Sequence, residues 1–331
     1  MATRDIITIG ASAGGVETLR GLVSLLPAEL PAALFVVLHI PQNVPSLLPA
    51  LLQRAGSLPA RHPADNTPIE NGWIYVAPPN RHMLLEPGRV RIIHGPKENR
   101  HRPAVDPLFR SAAWAYRSRV VGVVLSGNLD DGTAGLSAIK ACGGTAVVQD
   151  PAEALFSDMP VNALRNVAVD HQLTIKQIAR LLIDLANRTT ADAPDHVSST
   201  IQTEVEFIKM TKEAEDMSQL GGNRTAFACP SCHGALWELQ NSNLTRYRCH
   251  TGHAFSPESL LAEQSDAIEQ ALYSALRALQ EKGIALRRLA AHYANLPDLR
   301  CDYEARAGEA ETSAESIRSL LNGGKEASAR G

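Results

Sequence analysis

No apolar run in this sequence reaches the roughly 18 residues that a membrane-spanning helix needs, so no membrane insertion is expected. Nor does one sign of charge dominate, since 32 Lys and Arg face 35 Asp and Glu for a formal net charge of -3. That balance gives no global pull toward nucleic acid, whose binders present a basic face or stripe. A leader is not expected either: Met1 runs almost directly into Ile6-Ile7-Thr8-Ile9-Gly10, which is too short and too regular for a signal peptide's charged and apolar regions. A cytoplasmic protein is expected. Cysteine is scarce, with five residues, an odd number, of which three crowd between Cys229 and Cys249. This fits a metal site in a reducing compartment better than a disulfide framework. The one local basic cluster, Lys97, Arg100, His101 and Arg102, reads first as a solvated loop and second as a contact for an acidic substrate or a phosphate.

With 331 residues, the chain has room for one large domain and something smaller. Ile6 to Ile9, Ala33 to His39, Trp73 to Ala77, Val120 to Ser126, Thr145 to Gln149 and Val167 to Val169 read as short β-branched strands. Between them, Val16 to Leu26, Pro107 to Tyr116 and Ala134 to Cys142 read as amphipathic helices. The alternation predicts an α/β fold, a doubly wound, mostly parallel, Rossmann-like sheet with helices on both faces. Met83 to Ile92, two alternating runs around Pro87-Gly88, predicts a hairpin hung off that sheet. Ala191 to Arg224 is polar and short of aromatics, a linker with one helix through Val205 to Met210. Ser256-Pro257-Glu258 then offers an N-cap, a proline at the first helical position and an acid in the first turn. A long helix should follow, carrying Leu261, Ile268, Leu272, Ala275, Leu279, Leu286 and Leu289 as a packing stripe and stopped by Pro297. A second helix is expected from Thr312 to Leu321, closed by Gly323-Gly324. The expected domains are therefore 1–187 (catalytic), 188–224 (linker), 225–255 (a zinc ribbon) and 256–331 (a helical tail).

Gly10-Ala11-Ser12-Ala13-Gly14 follows a predicted strand and precedes a predicted helix, the context in which G-x-S-x-G acts as a nucleophile elbow. Glycine-rich strand-to-helix turns also bind phosphates, so the motif needs partners. A serine hydroxyl requires a base within hydrogen-bond reach, oriented in turn by a third group. His39 ends the strand Ala33 to Leu38, and Asp131 lies in the loop Gly127 to Gly132 after the strand Val120 to Leu125. All three fall at carboxyl ends of strands, where ligands of open α/β sheets bind. Ser12, His39 and Asp131 are the candidate nucleophile, base and orienting acid.

The string Ile9-Gly10-Ala11-Ser12-Ala13-Gly14-Gly15 resembles the serine loop of the CheB-type protein-glutamate methylesterases of chemotaxis. Leu38-His39-Ile40-Pro41 resembles the family's histidine segment, Ile74 to Pro78 its "YIAP" strand, and Pro103 to Phe109 its "PSVD" segment. The loop Leu125 to Gly132, then Gln149-Asp150 and Met159-Pro160, extend the likeness over roughly residues 5 to 185. The resemblance implies hydrolysis of glutamate methyl esters on chemoreceptor-like proteins, with glutamine deamidation possible by the same groups and no cofactor for catalysis. It implies a methylated receptor or sensor as substrate, a further signalling protein as a possible partner, and neither nucleic acid nor membrane insertion. Where the family reads G-M-G-x-D-G, this chain has Asn128 and Leu129 at the methionine and second glycine, and Asp158 stands before the "MP" pair. These departures bear on substrate fit and leave the triad intact. The family's usual phospho-receiver domain is not expected, because the catalytic strand begins almost at Met1, and a stand-alone form is the expectation.

Cys229-Pro230-Ser231-Cys232 and Cys249-His250-Thr251-Gly252-His253 give C-x2-C followed by C-x3-H, the spacing by which small ribbons hold tetrahedral zinc. Cys229, Cys232, Cys249 and His253 are the candidate ligands, with His250 as the alternative to His253. Four protein ligands close the site, so the metal is expected to be structural, in a module separate from the triad. Two other readings compete with the enzyme. One is a weakly active or inactive scaffold recruiting a partner through the ribbon and helices. The other is a nucleotide binder, whose G-x-G-x-x-G fingerprint the first turn, G-A-S-A-G-G, does not match.

Overall fold

The computed structural model describes residues 3–41, 44–190, 199–209, 222–241 and 244–328. Its first part runs β1 (Ile6–Ala11), α1 (Gly15–Val23), β2 (Ala33–Leu38), α2 (Leu48–Ala55), β3 (Ala60–Arg61), β4 (Thr67–Pro68), β5 (Ile74–Val76), β6 (His82–Glu86) and β7 (Arg89–Ile93). It continues through α3 (Val105–Tyr116), β8 (Val120–Val124), α4 (Thr133–Ala141), β9 (Thr145–Gln149), α5 (Asp158–Asn166), β10 (His171–Leu173) and α6 (Ile175–Asn187). Seven strands form one sheet in the order β10-β9-β8-β1-β2-β5-β3, and every pairing in it is parallel.

A parallel strand covered on both faces reads as a continuous apolar run, and the period of two then sorts its side chains between two cores. Ile7, Ile9, Leu34, Val36, Val121 and Val123 point to one side, against Leu19 and Leu22 of α1, Leu52 of α2 and Leu182 of α6. Ile6, Phe35, Val37, Val120 and Val124 point to the other, against Phe109 of α3, Leu136 of α4 and Met159 of α5. This is the doubly wound α/β architecture expected from the alternation of elements. The hairpin is present as β6 and β7, joined by β4 into a separate antiparallel sheet.

Several expectations change. Val167 to Val169 is not a strand: Val167 caps α5 and the strand is His171–Leu173, because the Ala146 carbonyl takes the Asp170 N–H and pairing starts one residue later. The interval read as linker contains α7 (Ser199–Ile208), and Met210, the end of its expected helix, lies outside the described residues.

Beyond it, β11 (Asn223–Ala228), β12 (Ala235–Asn241), β13 (Leu244–Cys249) and β14 (Ala254–Phe255) form a four-stranded antiparallel sheet. It opens at Asn223, inside the expected linker. This sheet is not a detached module: Met1–Leu260 form one compact unit and Leu261–Gly331 a second.

The second unit consists of most of α8 (Pro257–His292) and α9 (Pro297–Ser328). Pro297 opens α9 instead of merely ending α8, in keeping with proline's preference for the first helical position. The second helix therefore begins fifteen residues before Thr312 and continues past Gly323-Gly324 to Ser328. Ala290, Ala307, Ala310 and Ala314 are buried along the pair, while Arg287 reaches Glu311 through two bonds of 2.7 and 2.6 Å. Of the expected stripe, Leu286 is buried and Ile268 is exposed.

Candidate functional site

β1 lies at the centre of the sheet, with β2 on one side and β8 on the other, and the chain order reverses there. Ligand crevices of open α/β sheets form at that switch point, outside the carboxyl ends of the strands. Ser12 follows β1 directly. Its N–H donates to Ser126 O at 2.9 Å, and its own carbonyl accepts from Gly15 N at 2.9 Å. This tight turn needs Gly14 at φ +72°, in the left-handed region where a Cβ is unfavourable. Gly127 is required for space: a Cβ there would stand 2.7 Å from Ser12 Cβ and 2.1 Å from Met159 Sδ. Ser126 braces the elbow from β8, its hydroxyl donating to Ala13 O at 2.8 Å and accepting the Phe156 N–H at 3.0 Å.

His39 leaves the end of β2, tied by its N–H to Ala11 O. Its Nδ1 lies 3.1 Å from Ser12 Oγ, and its Nε2 lies 2.7 Å from Asp131 Oδ2. The three residues singled out in the sequence thus form one hydrogen-bonded line. Asp131 is buried and accepts three further bonds: from Val105 N–H at 2.7 Å, Asp106 N–H at 3.2 Å and Asn99 Nδ2 at 3.0 Å. Burial pushes its carboxyl up, yet the bond and charge of His39 and these donors outweigh that and hold it down at about 2. A carboxylate fixed in this way takes the Nε2–H, which leaves the Nδ1 lone pair for the serine proton. The ring is presented the other way round from the serine-protease arrangement, in which Nε2 faces the serine.

Three residues of the site had no role in the sequence reading. His101 stacks on His39 with centroids 3.6 Å apart and planes 10° from parallel. Burial and the neighbouring His39 pull the His101 ring down to about 3, so it packs as a neutral plate. The basic loop is accordingly only partly solvated. Lys97, Arg100, His101 and Arg102 are all half-buried, and Arg102 donates to Gly95 O at 2.7 Å and Asn80 Oδ1 at 2.9 Å. Asp106, buried at the start of α3, accepts Gly135 N–H at 2.6 Å and Gly132 N–H at 3.1 Å, which fixes the loop carrying Asp131. Burial and the charge of Asp131 lift its carboxyl to about 6. Asn99 is the third, donating to Asp106 Oδ2 at 2.9 Å as well as to Asp131. The signal available was the "PSVD"-like segment itself, whose aspartate is Asp106.

In the small sheet, one donor atom each from Cys229, Cys232, Cys249 and His253 lies within 4.8 Å of the others. Cys232 Sγ and Cys249 Sγ are 3.6 Å apart, and Cys249 Sγ is 3.5 Å from His253 Nδ1. Zn–S bonds of about 2.3 Å at tetrahedral angles put sulfurs about 3.7 Å apart, so the donor set fits that ion. His250 is turned elsewhere, with its ring edge-on to Trp237 at 4.1 Å. Among the described residues, no helix is long and apolar enough to cross a membrane.

Comparison with known proteins bears on this arrangement. The family model for CheB methylesterase matches residues 7–182. The chain belongs to the CheB methylesterase family. A relative from Leptospira interrogans, assigned the name protein-glutamate methylesterase/protein-glutamine glutaminase, is 35% identical over 182 residues, covering 55% of this chain and 94% of the relative. Protein-glutamate methylesterase/protein-glutamine glutaminase 3 of Geobacter metallireducens is 34% identical over 187 residues, 55% of this chain and 52% of that protein. The match thus spans about half the length of the Geobacter protein. The crystal structure of the Thermotoga maritima CheB methylesterase catalytic domain aligns with a TM-score of 0.53 at 30% identity, over 56% of this chain and all of that one. For a CheB methylesterase, the region beyond residue 182, with the Cys/His cluster and the helices, lies outside the family match.

Proposed function

We propose that the protein is a cytoplasmic serine hydrolase that removes methyl esters from glutamate side chains of chemoreceptor-like proteins in chemotaxis or related signalling. Ser12 is the nucleophile, His39 the general base and acid, and Asp131 the orienting carboxylate. The observation that carries this reading is the continuous line from Ser12 Oγ through the His39 ring to Asp131 at the switch point of the sheet. Membership of the CheB methylesterase family and the names of the relatives support the substrate class.

Ser12 Oγ attacks the ester carbonyl as its proton passes to His39 Nδ1. Asp131, kept ionised, stabilises the imidazolium and fixes its tautomer. His39 returns the proton to the departing methoxide, and methanol leaves an acyl-enzyme on Ser12. Water, activated by the same nitrogen, then releases glutamate. A glutamine amide follows the same path with ammonia as the leaving group, and no cofactor is needed. The amides around Ala13 and Gly14, at the start of α1, are assigned to the oxyanion, since Gly15 N–H is committed to Ser12 O. Loss of one such donor typically costs about 10²- to 10³-fold.

Cys229, Cys232, Cys249 and His253 are assigned to one structural zinc ion, with residues 223–255 forming the ribbon and the helices beyond a tail for partner contacts. All four ligands come from protein, and a site without an open position supplies folding free energy rather than catalysis. A fluorophosphonate probe should label wild type on Ser12 and leave Ser12→Ala unlabelled. Absence of labelling in folded wild type, or equal labelling of Ser12→Ala, would overturn the assignment.

A further inference from the structure

The ribbon is docked on the α/β core through a buried charge cluster. Arg248, fully buried, donates to Glu98 Oε1 at 2.9 Å and to Gly252 O at 2.9 Å, bracing the ligand loop Cys249 to His253 against the core. Glu98 also accepts two bonds from Arg110 of α3, at 2.7 and 2.6 Å. Arg246 of the ribbon pairs with Glu204 of α7.

Directly beside Glu98 stands Asn99, whose amide has each of its four bonding positions used. Its N–H groups go to Asp106 and Asp131, and its oxygen accepts Ser256 N–H at 3.1 Å and the Ser259 hydroxyl at 3.2 Å. Two carboxylates on one end and two donors on the other allow a single amide orientation. The backbone is gripped as well: Asn99 N–H donates to Ala254 O at 2.8 Å, and Ala254 N–H donates to Lys97 O at 3.3 Å. Ala254 is the residue after the ligand His253. Asn99 is held at φ +47° and Arg100 at φ +73°, a turn that docking contacts must maintain against backbone preference.

We infer that the Cys/His ribbon is a positioning clamp for the triad: through β14 and Ser256/Ser259 it fixes Asn99, and Asn99 fixes the Asp131 carboxylate toward His39. The inference rests on the reading of Ser12, His39 and Asp131 as a working triad. Asn99 is a positioning residue, acting through Asp131 and touching no reacting atom. The ribbon and the triad, expected from their sequence separation to be independent, are thereby coupled. Loss of the metal, which unfolds modules whose folding free energy comes from it, releases Asn99 and lets Asp131 and His39 drift, and misplacement of about 1 Å can cost about 10²-fold in rate.

The test uses the full chain as wild type, Asn99→Ala, Ser259→Ala and Cys232→Ser. Three things are measured: zinc content, the rate of fluorophosphonate labelling with kcat and KM on a small ester, and hydrogen exchange at the Val105 and Asp106 amides that bond Asp131. Asn99→Ala should keep its zinc, label about ten- to a hundredfold more slowly, and lose kcat with little change in KM. Ser259→Ala should shift in the same direction by less, and decides the matter if Asn99→Ala does not fold. Cys232→Ser should lose zinc, expose the Val105 and Asp106 amides to exchange, and reproduce the kcat loss. Zinc loss with these amides as protected as in wild type would overturn the clamp. Unlabelled wild type would instead overturn the triad, while the exchange comparison would still decide whether the ribbon holds the Asp131 loop.

Discussion

Replacing Glu98 by glutamine removes one negative charge from a buried cluster. In the native protein Glu98 and Glu204 face Arg110, Arg246 and Arg248, all five buried. The Glu98→Gln variant retains the shape, but three guanidinium groups then face one carboxylate. Breaking a buried ion pair by removing one partner typically costs about 3 to 5 kcal/mol, because the other charge stays buried and uncompensated. For a unit of this size each kcal/mol shifts the midpoint by about 2 to 4 °C, so Glu98→Gln should melt roughly 6 to 20 °C below wild type at pH 7. Acidity provides a second handle. Burial raises the Glu98 carboxyl, but Arg110, Arg248 and Arg246 together hold it far below its ordinary 4.5. A carboxyl depressed in the folded state stabilises above its unfolded pKa, and that contribution is lost as pH falls toward the folded value. Wild type should therefore lose stability faster than Glu98→Gln as pH drops below about 4.5. Thermal unfolding by tryptophan fluorescence at pH 7, 5 and 4 reports this, since Trp237 lies in the ribbon and Trp73 and Trp114 in the core. A Glu98→Gln protein melting within 1 °C of wild type at pH 7, with parallel acid profiles, would refute the buried cluster and the docked ribbon with it.

His39→Ala should abolish ester hydrolysis nearly as completely as Ser12→Ala, and the double variant should be little worse than either, because triad members act as a unit; additive losses measured as kcat would separate the two roles. Leu129 sits at φ +61° in the aspartate loop, a strain of about 1 kcal/mol for a non-glycine residue that a glycine would relieve at a similar cost in unfolded-chain entropy, so Leu129→Gly should stay within about 0.5 kcal/mol of wild type in denaturant, and a change beyond about 1 kcal/mol would contradict it. His101→Ala removes the plate under His39 and should lower kcat about tenfold, at unchanged zinc content, through loss of ring orientation; unchanged kcat would show that Asp131 alone orients the ring.

The central sheet was legible because the β-branched runs of its strands stand between clear turn signals, and Ser12, His39 and Asp131 were legible because each lies at or beyond the carboxyl end of such a run. What escaped had other causes. α5 carries Pro160 in its first turn, and a proline there erases the helical pattern in a nine-residue segment without harming the helix. Asn99 and His101 lie in a loop whose left-handed residues have no sequence marker, so its basic side chains read as solvated. The roles of Arg246 and Arg248 had no signal because their acceptor Glu98 is about 150 residues away in the chain, a separation no local pattern reveals.

The central position of β1 has a consequence for synthesis. Ile6 pairs with Val120, so the strand that leads into Ser12 lacks one neighbour until 114 more residues have been made. At about 5 to 20 residues per second, a six-residue strand buried along its whole length waits roughly 6 to 23 s with one edge open. Ribosome-stalled chains ending before and after Val124 should differ sharply in protease resistance around Ser12. Glu98 waits longer still, since the ribbon arginines that neutralise it emerge about 150 residues behind it. Until then Arg110 alone of the three arginines can pair with its carboxylate, and the site closes to water only when the later sheet packs on it.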